Sequence, residues 1–318
     1  MPELPEVETI RRQLEPEAAG RAIDSLEVLD QRWTRPEPPG AVADAVGGRR
    51  IEAVERRGKY LILRLDGGVA LVMHLRMTGN LLLRPAALAA PAGTAALDLM
   101  EARKLGGPRL YESHPEARHL RAVIHLEGGD QLWFTDPRRF GHAAVLVGDE
   151  LEAYLGSRLG LEPLSEELTA EALGRLAAGR NAPLKSFLLV QEGVAGIGNI
   201  YADEALHRAR LHPLSPAGSM KPEHAEALRA GIVAALEAGL ANGGASMDDY
   251  LDARGERGSM QNEFLVHTRE GEPCPRCGET IRRIVVSGRS TYFCPACQVR
   301  LRRRPPRRKR AAARRVAS

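Results

Sequence analysis

The 318-residue sequence predicts a multidomain α+β fold, with antiparallel strands first, helices second and a small cysteine-bearing module last. Three observations carry this expectation. Residues 23 to 147 alternate short apolar runs with Gly and Asp turns, the pattern of an antiparallel sandwich or barrel. From about Leu151 the texture changes to Ala, Leu and Glu at helical spacing. All four cysteines then fall in two Cys-x-x-Cys pairs.

Taken in order, a short helix is expected from about Glu6 to Glu15, with proline at its first turn and acids complementing the helix dipole. Strands follow, among them Tyr60 to Leu65, Val69 to His74, Ala122 to Leu126 and Gln131 to Thr135, around turns at Asp66-Gly67-Gly68 and Gly128-Gly129-Asp130. The Ala-, Pro- and Gly-rich stretch from Pro85 to Gly107 reads as a long exposed loop. Helices are expected over Glu150 to Leu159, Thr169 to Ala177, Pro183 to Glu192, Ile200 to Arg208 and Pro222 to Ala241. The resulting division is 1–148, 149–263, a small module over 264–300, and a basic arm, 301–318, with too few apolar residues to fold.

The formal charge of +4 is unevenly distributed. From Gln298 onward there are ten basic residues and no acids, which leaves 35 basic against 41 acidic residues, a net −6, in the rest of the chain. Such an arm is attracted to polyanions, nucleic acid above all. No run of 18 apolar residues appears, nor a basic stretch leading into an apolar one at the start. A membrane span and a secretory signal are therefore not expected, and the reading is a cytoplasmic or nucleoid-associated protein.

The start, Met1-Pro2-Glu3-Leu4-Pro5-Glu6, carries the first chemistry. Removal of Met1 would leave a proline amine beside a carboxylate. An α-amine with a pKa near ~8 is partly neutral at physiological pH, and amines attack carbon centres to form Schiff bases. Glu3 could shuttle the proton. Taken alone, these residues are more plainly read as a helix start with no catalytic role.

Cys274-Pro275-Arg276-Cys277 and Cys294-Pro295-Ala296-Cys297 have the spacing of a four-thiolate zinc site. Free or disulfide-bonded cysteines are the alternative, disfavoured in a cytosolic chain. Four thiolates leave no open position for water, so one zinc ion here would be structural. The residues between the pairs, Thr280 to Phe293, suit a hairpin turning at Ser287-Gly288, with Arg289 at its tip. Between two helical stretches, Gly193-Val194-Ala195-Gly196-Ile197-Gly198-Asn199 allows close backbone approach, and amides opening the next helix are natural phosphate ligands. A tight interhelical turn is the plain alternative.

Together these pieces resemble the bacterial formamidopyrimidine-DNA glycosylase family over nearly the whole chain. The carriers are Pro2-Glu3-Leu4-Pro5-Glu6-Val7-Glu8, Arg57-Gly58-Lys59-Tyr60-Leu61, His74-Leu75-Arg76-Met77-Thr78-Gly79, Asp136-Pro137-Arg138-Arg139-Phe140-Gly141, the run Gly196 to Glu204, and Gly288 to Gln298. The resemblance implies a β-sandwich with an N-terminal helix, a helix-two-turn-helix domain and a zinc-finger hairpin, binding damaged double-stranded DNA as a monomer. It implies that Pro2 is the nucleophile at the sugar C1′, that Glu3 supplies a proton, that Glu6 organises the lesion pocket and that Lys59 contacts phosphate. Met77, Arg138 and Phe140 match residues that fill the hole left by an extruded base, and Arg139 lies in the same DNA-binding run. Asn199 and Arg289 match phosphate clamps. Such an enzyme removes oxidised purines and cleaves the abasic site by β,δ-elimination.

Two departures bear on base preference. A loop that often reads Gly-Tyr-Phe-Gln-Gln-Glu in this family is Gly258-Ser259-Met260-Gln261-Asn262-Glu263 here, and His267-Thr268 replaces a usual Tyr-Gly. The start with Leu4 points to the purine-lesion branch over the sister branch that handles oxidised pyrimidines. A damaged-DNA binder without catalysis, or a zinc-ribbon RNA protein, are the competing readings.

Overall fold

The computed structural model describes residues 2–86, 119–247 and 249–302; residues 87–107 of the expected long loop, and 303–318 of the basic arm, lie outside them. Helix α1 runs Leu4–Ala18, longer at both ends than expected. It begins early because Pro5 fits the first turn, where the missing amide hydrogen is not needed, and because Glu6 Oε2 accepts the Glu3 N–H at 2.8 Å.

Two four-stranded antiparallel sheets follow. One has the order β1 (Ile23–Val28), β6 (Leu120–Leu126), β7 (Gln131–Thr135), β5 (Asn80–Arg84); the other is β2 (Ile51–Arg57), β3 (Tyr60–Leu65), β4 (Val69–His74), β8 (His142–Val147). Strand periodicity sorts the second sheet's residues between two layers. Leu61, Leu63, Leu65, Leu71 and Met73 face the core between the sheets, whereas Tyr60, Ile62, Ala70 and Val72 pack on Leu151 and Leu155 of α3 (Glu150–Gly156). A helix within the strand region, α2 (Pro39–Val46), was not anticipated; Val42 and Val46 close the core on its edge.

The helical layer holds α4 (Ala170–Ala177), α5 (Leu184–Leu188), α6 (Asn199–Arg208) and α7 (Pro222–Ala241). Thr169 caps α4, its Oγ1 accepting the Ala172 N–H at 3.1 Å. Helix α5 stops well short of the expected Glu192, the chain tightening at Leu189, and beyond it Gln191 turns its side chain inward to accept the Gly196 N–H and to donate to the Ile197 carbonyl. Helix α1 belongs to both layers: Val7, Ile10 and Leu14 enter the sandwich core and Leu4 the helical one. After α7 the chain returns to the sandwich, where Tyr250 and Ala253 are buried in its core and Asn80 grips the backbone of Asp249 and Leu251. The hairpin of β9 (Arg282–Val286) and β10 (Arg289–Phe293) turns at Ser287 and Gly288, both at positive φ, as expected of a two-residue turn. Among the described residues no helix is long and apolar enough to cross a membrane.

Helices α6 and α7 cross at glycines. A Cβ on Gly231 would lie 2.6 Å from the Ala205 carbonyl oxygen, and one on Gly239 would lie 2.4 Å from the Tyr201 hydroxyl. In an exposed helix Gly→Ala gains about 1 kcal/mol; here overpacking of about 1–3 kcal/mol opposes it. Gly231→Ala should therefore lower the unfolding free energy in a urea titration, and a gain would mean that the crossing is loose.

Candidate functional site

The site is built where α1 meets the start of α6. Glu3 is buried, and its carboxylate accepts the N–H groups of Gly198 at 2.8 Å, Ile200 at 2.9 Å and Tyr201 at 3.3 Å. The first turn of a helix carries unpaired amides and partial positive charge, a natural seat for an anion. These are the amides that the sequence reading offered to a DNA phosphate; the structure gives them to Glu3. The approach needs glycine, since a Cβ on Gly198 would fall 2.3 Å from Glu3 Cδ. Pro2, also buried, is thereby held at the same junction.

One turn along α1, Glu6 accepts from the Glu3 backbone, from Tyr201 Oη at 2.7 Å and from the Ala245 N–H at 2.7 Å. Burial, reinforced by the neighbouring Glu3 charge, holds its carboxyl above the usual carboxylate range. Lys59 occupies the two-residue turn between β2 and β3 and donates from Nζ to the Ile197 carbonyl at 3.0 Å. Burial lowers its pKa, against the opposing pull of Glu3. Glu162 fixes this turn by accepting from Arg56, Arg57 and the Gly58 N–H at 2.7–3.0 Å.

A cleft of about 520 Å³ opens above, lined by Lys59, His74, Arg76, Met77, Phe140 and Arg289 among others. Met77 and Phe140 are 36% and 53% exposed, unusual for large apolar side chains. They come from the β4–β5 and β7–β8 connections, which buried Asp136 ties together. Its carboxylate accepts from Thr78 Oγ1 and from the N–H groups of Arg138, Phe140 and Gly141 at 2.7–3.1 Å for the amides. Arg138 lies 4.9 Å over the Phe140 ring. Arg139, by contrast, turns to Asp30, donating from Nη2 at 2.8 Å, at a positive φ of 61°. Sequence reasoning quoted Asp136 only as part of a motif and missed Thr78, Gln191 and Glu162 as positioning groups. The Asp-Pro start of the turn was the available signal for Asp136; nothing local marked the others.

Asn199 donates from Nδ2 to the Ser290 carbonyl at 3.0 Å, which holds the neighbouring Arg289 at the cleft edge. The four cysteine sulfurs lie within 4.8 Å of one another. A tetrahedral zinc with Zn–S near 2.3 Å separates its sulfurs by ~3.8 Å, and Cys277–Cys294 and Cys274–Cys297 are 3.5 and 3.9 Å apart. The four thiolates therefore fit one structural zinc. The altered 258–263 loop departs from expectation: Met260 is fully buried in the helical core, and Ser259 Oγ bonds Asn242. Met260 thus replaces an aromatic as packing, outside the cleft lining.

The N-terminal domain description of formamidopyrimidine-DNA glycosylase matches residues 1–143, its H2TH domain residues 159–250, and the zinc finger found in FPG and IleRS residues 271–299. Formamidopyrimidine-DNA glycosylase of Chloroflexus aurantiacus is 43% identical over 94% of this chain and 98% of its own; that of Desulfitobacterium hafniense is 42% identical over 94% and 100%. The crystal structure of the MutM (FPG) protein from Thermus thermophilus superposes with a TM-score of 0.76 at 39% identity, covering 93% of this chain and 98% of that one. The Lactococcus lactis Fpg in complex with abasic-site-containing DNA gives 0.79 at 33% identity, covering 93% and 99%.

Removing the Asp136 carboxylate strands several buried donors, each worth about 1–3 kcal/mol. Asp136→Ala should cost at least about 3 kcal/mol in urea denaturation; a loss below about 1 kcal/mol would show that packing alone holds the two loops. His74 and His142 stack at 5.7 Å beside the cleft. Burial, with help from Arg76, pushes His142 from 6.5 down to about 4. The unfolded chain then binds more protons within that window, so this group's contribution is full above pH 6.5 and lost as pH falls toward about 4. His142→Phe should flatten the pH dependence of unfolding there, and an unchanged slope would count against a neutral buried imidazole.

Proposed function

Because this chain belongs to the formamidopyrimidine-DNA glycosylase family, we propose that it is a base-excision repair enzyme, a glycosylase and abasic-site lyase that removes 8-oxoguanine and formamidopyrimidines from duplex DNA. The observation that carries this reading is the seating of Pro2-Glu3 against the start of α6, with Lys59 bonded to the loop that precedes that helix, behind a cleft lined by Lys59, Arg76 and Arg289 among others. Basic groups at the rim suit the phosphate backbone. The protein acts as a cytoplasmic monomer at the nucleoid.

Once Met1 is removed, the Pro2 nitrogen lone pair forms a bond to C1′ of the extruded nucleotide, and the glycosidic bond breaks. Glu3 takes the N–H proton that the bonded Pro2 nitrogen sheds and passes it to O4′ or to the departing base, solvent supplying the other, as the C1′–O4′ bond breaks. The resulting iminium acidifies C2′; loss of that proton expels the 3′ phosphate oxygen, and a second elimination expels the 5′ one. Phe140 and Met77 enter the duplex as the base leaves, offsetting a few kcal/mol of lost stacking, while Arg138 faces the orphaned partner base. Lys59 and Arg289 hold flanking phosphates. Asn199 assists through the hairpin, and Arg139 through the backbone of its turn. The zinc shapes the hairpin and takes no part in the chemistry.

Borohydride reduction should trap a covalent adduct on an 8-oxoguanine:cytosine duplex, lost in Pro2→Gly. Glu3→Gln should slow base removal by about 10²–10⁴-fold. Trapping confined to oxidised-pyrimidine duplexes would move the enzyme to the sister branch; no trapping even on an abasic duplex would make it a binding protein.

A further inference from the structure

Helix α6 carries four polar side chains, Asn199 half-buried and the other three buried, and each engages the C-terminal module. Asn199 bonds Ser290; Asp203 accepts from His267 Nδ1 at 2.8 Å; Glu204 accepts the N–H groups of Leu265, Val266 and His267 at 3.0–3.1 Å. The fourth is His207, 1% exposed, whose Nε2 lies 3.4 Å from Cys274 Sγ. Its other ring nitrogen, Nδ1, is buried and has no hydrogen-bond partner among the described residues.

We propose that His207 is an outer-shell positioning residue of the zinc centre, donating an Nε2–H···Sγ hydrogen bond to the Cys274 thiolate. A zinc-bound thiolate can only accept, so the short contact requires the proton on the histidine. The ring's surroundings favour the same tautomer, since a hydrogen on Nδ1 would be buried without an acceptor. Arg276, between the first two ligands, donates to the His207 carbonyl at 3.0 Å, so backbone and ring of one residue hold the same knuckle. The Cys294 sulfur has a comparable donor in the Cys297 N–H at 3.4 Å. These bonds spread the charge of four thiolates and fasten the metal to the helix whose first turn seats Glu3. Outer-shell partners of this kind typically govern metal retention by 10–100-fold.

The test uses the full-length enzyme. In protein labelled with ¹⁵N and loaded with ¹¹³Cd in place of zinc, the His207 ring should show one slowly exchanging N–H, on Nε2, with a scalar coupling to the cadmium. In the zinc protein, His207→Phe should accelerate metal release to a chelator by about tenfold or more, and the cobalt-substituted variant should show its sulfur-to-metal charge-transfer band shifted to longer wavelength. His207→Gln, whose amide can reach the same sulfur, should restore both. A ring proton on Nδ1, or a folded His207→Phe protein with unchanged release and spectrum, would overturn the proposal. Equal losses in the Phe and Gln variants would also overturn it, because packing would then be the whole role. The cadmium experiment needs no substitution and decides the matter even if the variants fail to fold.

Discussion

Everything at the candidate site depends on one buried contact, the Glu3 carboxylate on the opening amides of α6. A carboxylate withdrawn from water is tolerable only where hydrogen-bond donors replace the solvent, and a helix N-terminus supplies them in a fixed geometry. The consequence is mutual. Glu3 satisfies amides that would otherwise be orphaned, and α6 fixes the position of the residue next to Pro2. Gly196 and Gly198 are required for the same reason, since a Cβ at either would lie within 2.6 Å of Leu4 or Glu3 atoms.

From that contact the structure extends in two directions. Toward the sandwich, α1 carries Glu6 and the apolar stripe of Val7, Ile10 and Leu14, while the segment after α7 returns to bury Tyr250 and Ala253 beside it. Toward the C-terminal module, α6 is the common support of the hairpin and its arginine. Lys185 completes this second direction. Fully buried, it pairs with Asp203 at 2.7 Å and donates to the Asn199 carbonyl at 2.6 Å, so the helix that seats the acid is pinned from within.

Much of this was legible in the sequence because local signals and tertiary roles agreed. Alternating runs became β3, β4 and β7, the Ser287-Gly288 turn appeared where expected, and the two Cys-x-x-Cys pairs gathered four sulfurs. The failures have physical causes. Helix α5 was over-extended because Leu189, Val190 and Gln191 have ordinary helical character, whereas the chain tightens at Leu189 and the Gln191 side chain serves the following loop instead. The helix-start amides were assigned to phosphate because no local pattern reveals that a carboxylate nearly 200 residues away in sequence will occupy them. Arg138 and Arg139 read alike in sequence, and no local pattern announces the ion pair of Arg139 with Asp30, 109 residues away. Ser259 and Met260 appeared as lost lesion-loop aromatics, yet Met260 is core, where a flexible thioether can fill an aromatic's space.

The Asp136 knot bears on how the proposed insertion of Met77 and Phe140 would work. Met77 and Phe140 arise from different connections between the sheets, but one carboxylate ties the two connections together, so the spacing of their backbones is set by the fold. Loops already ordered before binding lose little conformational entropy when they engage a partner. On the proposed function the two side chains would therefore meet each base pair at the same backbone spacing, and discrimination would begin in the duplex, with the ease with which a given pair opens around them.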